Sequence, residues 1–223
     1  RTTPADVIAA FDSATAMATY RTMAARGTAI TPTLNISYIL AWLDRDTHAN
    51  DAYLRYIGPG LRATYQWRVD RAATADSAAV SRRHRMYDFT SARLPMLQAA
   101  GVMILAGTDA GFLNSFDYPG VGLHDELRRL VDAGLTPLQA LRASTINGAE
   151  FLGKAARHGS IARGKAADLV ILERNPLADI TATTAIRGVV MHGRYRDREA
   201  LDAMLRQTAD EVTRMPAGGR RPL

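Results

Sequence analysis

The sequence predicts an α/β fold with a parallel sheet, followed by a small β module. Three observations predict it. Helical spacings and short apolar runs alternate in the order helix–strand–helix–strand–helix up to about residue 153. Residues 102–106 (VMILA) are uninterruptedly apolar, as in a strand buried on both faces, and run straight into Gly107-Thr108-Asp109-Ala110-Gly111. Beyond Gly153 the helical spacing gives way to β-rich runs separated by turn residues.

The elements follow in order. The opening Arg-Thr-Thr-Pro-Ala-Asp reads as a connection into a helix, and as the interior of a longer protein. Ala16, Tyr20, Met23 and Ala24 mark a helix over 14–26, stopped by Gly27. Residues 29–34 form a short strand candidate containing Pro32. Residues 35–80 carry Tyr38, Trp42, Tyr53, Tyr56, Tyr65 and Trp67 around Gly58-Pro59-Gly60, and read as an insertion of short helices. That insertion is either a lid or a satellite hydrophobic cluster. A helix is expected over 78–100, the strand 102–106 follows, and Leu123, Leu127, Leu130 and Val131 mark the next helix. Thr136-Pro137-Leu138-Gln139 is a capping box that starts another, ending near Gly153. Two strands (167–173 and 186–192), a helix (198–215) and a frayed tail (216–223) complete the chain. A closed (β/α)8 barrel uses roughly 250 residues. Residues 1–153 therefore make part of such a barrel or a smaller open sheet.

Composition closes several routes. The 223 residues contain no Cys, which excludes disulfides, Cys-bound zinc and thiol nucleophiles. No run of eighteen apolar residues exists, so no membrane-spanning helix is expected. The net charge is +6, but the 28 basic residues are scattered among 22 acids. A nucleic-acid footprint gathers its basic residues on one face with stacking aromatics, so no nucleic-acid partner is expected. The compartment, cytoplasmic or periplasmic, is open.

Asp109 is the leading candidate for chemistry. It lies just past a buried strand, between glycines, where α/β folds place their sites. The alternative is an Asp that merely turns the chain. His124 opens the helix after this loop, where its ring could reach the site mouth or lie on a first-turn surface beside Asp125 and Glu126. Asn35 and Tyr38, after the first strand, and Asn114, after Asp109, are candidates to contact a small polar substrate. His48 and His84 read as insertion-packing or surface residues, and His158 and His192 as structural members of the β module.

Residues 101–111 (GVMILAGTDAG) resemble the eighth-strand motif of the amidohydrolase superfamily. The similarity continues through Leu123-His124-Asp125-Glu126-Leu127, 131–137 (VDAGLTP), 140–145 (ALRAST) and 159–172 (GSIARGKAADLVIL). The nearest branch is the imidazolonepropionase-like and Xaa-Pro-dipeptidase-like hydrolases. Residues 101–195 carry the specific similarity, while 11–34 fit more loosely as a sixth helix and seventh strand.

The resemblance implies the C-terminal part of a (β/α)8 barrel over 1–153, strands of a small β-sandwich over 154–197, and a helix and tail over 198–223. It implies a metal-dependent hydrolase of amide, cyclic amide or dipeptide C–N bonds, with one or two divalent ions, zinc foremost. Asp109 would be metal ligand and proton shuttle. The family pattern also requires a His-x-His pair, a carboxylated Lys or a Glu, and two further His. This sequence has no His-x-His, and none of its five His sits in such a context. A fragment inactive by itself is implied; the alternative is an inactive amidohydrolase-derived binding or oligomerisation domain. Self-association is open, because an incomplete barrel exposes strand edges.

Overall fold

The computed structural model describes residues 3–111 and 114–216. Helix α1 (Pro4–Ala9) begins at a capping box between Thr3 and Asp6. Helix α2 (Ser13–Ala25) is capped by Asp12, which accepts from Thr15 N at 2.7 Å. Strands β1 (Ala29–Ile30) and β2 (Met103–Ile104) then pair in parallel, Ala29 with Met103 and Ile30 with Ile104. Both are shorter than the expected strands over 29–34 and 102–106. Leu105 N still donates to Ile30 O at 2.8 Å, but Ala106 N turns to Ala143 O at 3.0 Å. Pro32 has no amide to continue the ladder from the other side.

The insertion forms as helices α3 (Leu34–Trp42) and α4 (Pro59–Ala73) around a 3₁₀ turn (Ala52–Tyr56). The single helix expected over 78–100 is two, α5 (Ser77–Ser91) and α6 (Leu94–Ala99). Pro95 sits in the first turn of α6, where its missing N–H costs nothing; inside one continuous helix it would remove a bond. After β2 come α7 (Val121–Asp132), α8 (Pro137–Ala143), with the expected Thr136–Gln139 capping box, and α9 (Ile146–Phe151). The expected single helix to Gly153 breaks between α8 and α9. There Ser144 and Thr145 hydroxyls bond back to Leu141 O at 3.0 and 2.6 Å.

The β module is a three-stranded antiparallel sheet, β3 (Leu169–Leu172), β4 (Ile186–Met191) and β5 (Arg194–Asp197), in that order. β5 was not expected. His192 and Gly193, at φ 51° and 75°, form a two-residue hairpin loop whose twist matches its strands, so the chain returns where the sequence suggested it stopped. Helix α10 (Arg198–Arg214) follows, capped by Asp197. Of the expected tail 216–223, all but Pro216 lies outside the described residues.

The α/β class holds. Among the described residues the strands make one two-stranded parallel sheet and one three-stranded antiparallel sheet. Two hydrophobic clusters hold the chain together. One joins β1–β2 to α6–α8 through Leu34, Leu94, Ile104, Leu127, Leu130 and Ala140. The second lies under the insertion: Ile39, Leu43, Ile57, Tyr65 and Ala72, closed by Phe116 and Tyr118 from the loop after β2. The aromatic insertion is thus a satellite cluster built on that loop.

Candidate active site

The loop from Gly107 to Gly120 leaves the C-terminal end of β2. Gly107 is required there, because a Cβ would lie 2.7 Å from Thr31 Cγ2 on the segment after β1. Asp109 is exposed and left-handed, at φ 57°, a conformation that Asp tolerates better than most residues. Asn114 holds it there. Its Nδ2 donates to Asp109 Oδ2 at 2.9 Å and also to the Asp109 carbonyl. A strand-end carboxylate so oriented can accept a proton or offer an oxygen to a cation.

Beneath this surface layer lies a buried polar one. Asn35, at the start of α3, is 3% exposed, while Asp117 and Glu126 are fully buried. Asn35 N donates to Glu126 Oε2 at 2.7 Å, and Asn35 Nδ2 to Asp117 Oδ1 at 3.2 Å. Asp117 Oδ2 and Glu126 Oε1 find no hydrogen-bond partner among the described residues. Gly122 makes room, since a Cβ there would collide with Asp117 Oδ1. Burial pushes Asp117 up to about 6 against the Asn35 hydrogen bond, with Asp125 and Asp109 adding repulsion. Burial likewise pushes Glu126 up to about 7, opposed by the amides of Asn35 and Leu34, raised further by Asp117 and lowered by Arg129.

The insertion fastens the same loop from outside. Asp51 Oδ2 accepts from Tyr118 Oη at 2.8 Å and lies 2.9 Å from His48 Nδ1. The His48 ring stacks on Phe116 at 4.8 Å. Burial raises the Tyr118 phenol above its ordinary range, and Asp51 adds to it.

Of the candidates to contact substrate, Asn114 is the one that the described residues bring to Asp109. Asn35 is turned inward to Asp117 and is not exposed. Tyr38 stacks on Trp42 at 4.8 Å, with the Arg129 guanidinium 3.3 Å over its ring. His124 is half-buried on the other side of α7. It lines a cavity of about 720 Å³ between α7–α9 and the antiparallel sheet, shared with Leu141, Leu152, His158 and Leu172. Burial lowers its pKa, opposed by Asp125. His84 packs on Trp42 at 4.7 Å and meets Asp44 at 2.9 Å, which makes it, like His48, an insertion-packing residue.

Asp117 and Glu126 were missed from sequence. A signal for Glu126 was present: it falls between Leu123, Leu127 and Leu130 on the apolar stripe of α7, where a charged residue is out of place. Nothing comparable marks Asp117, whose burial depends on contacts distant in sequence.

Among the described residues no three His, Asp or Glu side chains converge as a metal cage. The described residues do not by themselves fit a metal centre.

The parallel strand pair and its connecting helices make this an α/β protein, with an oriented carboxylate, Asp109, just past the C-terminal end of β2. A model of the amidohydrolase family matches residues 3–195, and the chain belongs to that family. Imidazolonepropionase of Pseudomonas savastanoi pv. phaseolicola is 35% identical over 112 residues, 48% of this chain and 27% of that protein. Ochratoxinase of Aspergillus niger is 40% identical over 83 residues, 36% of this chain and 16% of that protein. The solved structure of bottromycin amidohydrolase matches with a TM-score of 0.67 at 28% identity, over 82% of this chain and 40% of that one. A solved prolidase with N-methylphosphonate-L-proline matches with a TM-score of 0.56 at 24% identity, over 82% of this chain and 38% of that one, a likeness of fold. The chain spans less than half the length of these relatives.

Proposed function

We propose that this chain is part of a metal-dependent hydrolase that cleaves C–N bonds in a small amide, cyclic amide or dipeptide. The supporting observation is Asp109: an exposed carboxylate at the end of a parallel strand, held left-handed by two hydrogen bonds from Asn114. In this reading Asp109 accepts a proton from the attacking water and returns it to the leaving nitrogen. It would also offer one oxygen to a centre of one or two divalent ions, zinc foremost, which the described residues do not complete by themselves. Asn114 keeps the carboxylate pointed outward, and Asn35 supports the loop from below rather than touching substrate. The surrounding architecture would be the C-terminal part of a (β/α)8 barrel, with β3–β5 contributing to a β-sandwich.

The test begins with the coding sequence upstream of Arg1. An in-frame continuation carrying a His-x-His pair, a Lys or Glu and two further strand-end His supports the reading. The protein it encodes should then hydrolyse members of a dipeptide and cyclic-amide panel, lose turnover with a chelator, and lose it in Asp109→Ala. An upstream stop would instead favour the inactive binding or oligomerisation domain.

A further inference from the structure

The fully buried carboxyl groups of Asp117 and Glu126 have no part in the chemistry just proposed, yet they meet at one residue. Asn35 spans them, with its backbone amide on Glu126 and its side-chain amide on Asp117. Three segments converge there: the N-terminus of α3 after β1, the far end of the Asp109 loop, and α7. Each carboxyl uses one oxygen as an acceptor and leaves the other without a partner among the described residues. Two buried carboxylates with no direct ion pair repel each other, whereas a carboxylic acid keeps its carbonyl oxygen as acceptor and sheds its charge.

We propose that Asp117, Asn35 and Glu126 form a clasp that positions the loop carrying Asp109, closed while its carboxyl groups hold a proton and loosened when they lose it. The proposal rests on the reading of Asp109 given above for its catalytic consequence. Asp117 and Glu126 are positioning residues acting through Asn35. The carboxylates facing them favour a retained proton, whereas the Asn35 amides and Arg129 oppose it. Asp109 and Asp125 lie around Asp117 and add negative potential, and Tyr65 of α4 is close by. Around Glu126 stand Asp117, the Tyr87 phenol of α5 and Arg129, the last favouring ionisation. Arg129 is drawn away toward the Tyr38 ring and lies 3.6 Å from Asp132. Gly122 is part of the device, because any side chain there would evict Asp117.

The experiment is amide hydrogen exchange on the 223-residue chain from pH 5 to pH 8, corrected for the intrinsic pH dependence of exchange. It follows peptides from residues 31–38, 106–118 and α10. In the wild type, protection of the first two should fall by about tenfold or more across this range while α10 holds. In Glu126→Gln, and independently in Asp117→Asn, each a neutral isostere of the protonated acid, that pH dependence should shrink and protection stay at the acid level. A flat wild-type profile would overturn the clasp. So would a loss shared equally by α10, which reports global opening, or the failure of both isosteres to fold. A profile surviving both substitutions would belong to some other group and would also overturn it. None of these readouts requires turnover, so the clasp and the proposed hydrolase activity fail separately.

Discussion

Tyr118 Oη donates to Asp51 Oδ2 at 2.8 Å, across 67 positions of sequence, and so ties the aromatic insertion to the loop that carries Asp109. His48 meets the same carboxylate. The insertion and the strand-end loop are therefore one packed unit, with Phe116 and Tyr118 inside the insertion's hydrophobic cluster.

Removing only that hydroxyl isolates its contribution. Tyr118→Phe should destabilise the chain by about 1 kcal/mol, the net value of one hydrogen bond to a partly buried acceptor. Tyr118→Ala should cost roughly 3–5 kcal/mol, because a 6%-exposed ring leaves a cavity. Urea unfolding midpoints of both variants test the pair, and equal losses would show that the hydroxyl, not the ring, dominates.

The carboxyl groups give stability a direction in pH. Glu126 rises from 4.5 to about 7 on folding, so between these values the folded state binds more protons than the unfolded one. Its contribution is fully present below about pH 4.5 and is lost as pH rises through 7, a loss of order 3 kcal/mol at 1.36 kcal/mol per unit. Glu126→Gln should flatten the slope of unfolding free energy against pH from 4.5 to 7. A slope of the same size in the variant would place the effect elsewhere.

Asp109 sits where a backbone preference and the proposed chemical role pull apart. Asp109→Gly removes the left-handed penalty at φ 57° and should raise thermal stability slightly, by under about 1 kcal/mol. In a catalytically complete protein the same change should abolish turnover. A marked fall in melting temperature would mean that the Asn114 bonds outweigh the backbone strain.

Core and surface leucines on neighbouring helices offer a contrast. Leu130 in α7 is fully buried and Leu138 in α8 is 55% exposed. Leu130→Ala should cost roughly 2–5 kcal/mol and Leu138→Ala under about 0.5 kcal/mol, measured by denaturant unfolding.

The placement of Asp109 in the candidate site was legible in sequence because its cues are local. The apolar run ending in Gly-Thr-Asp-Ala-Gly placed Asp109 at a parallel strand end, and Asn114 lay within reach along the same loop. The roles of Asn35, Tyr38 and His124 were not legible. Each side chain could face either of two surfaces. Asn35 turned to Asp117, Tyr38 to Trp42, and His124 to the cavity beside the antiparallel sheet.

The sequence by itself determined the α/β order, the caps at Thr136 and Gly27, the position of Asp109 and the family resemblance, all read from residues a few positions apart. The tertiary structure alone decided which polar groups lose water. Asn35 lies 82 residues from Asp117 and 91 from Glu126, so their burial and raised protonation follow from how α3, α7 and the strand-end loop pack together. Desolvation belongs to that packing, which no local pattern specifies.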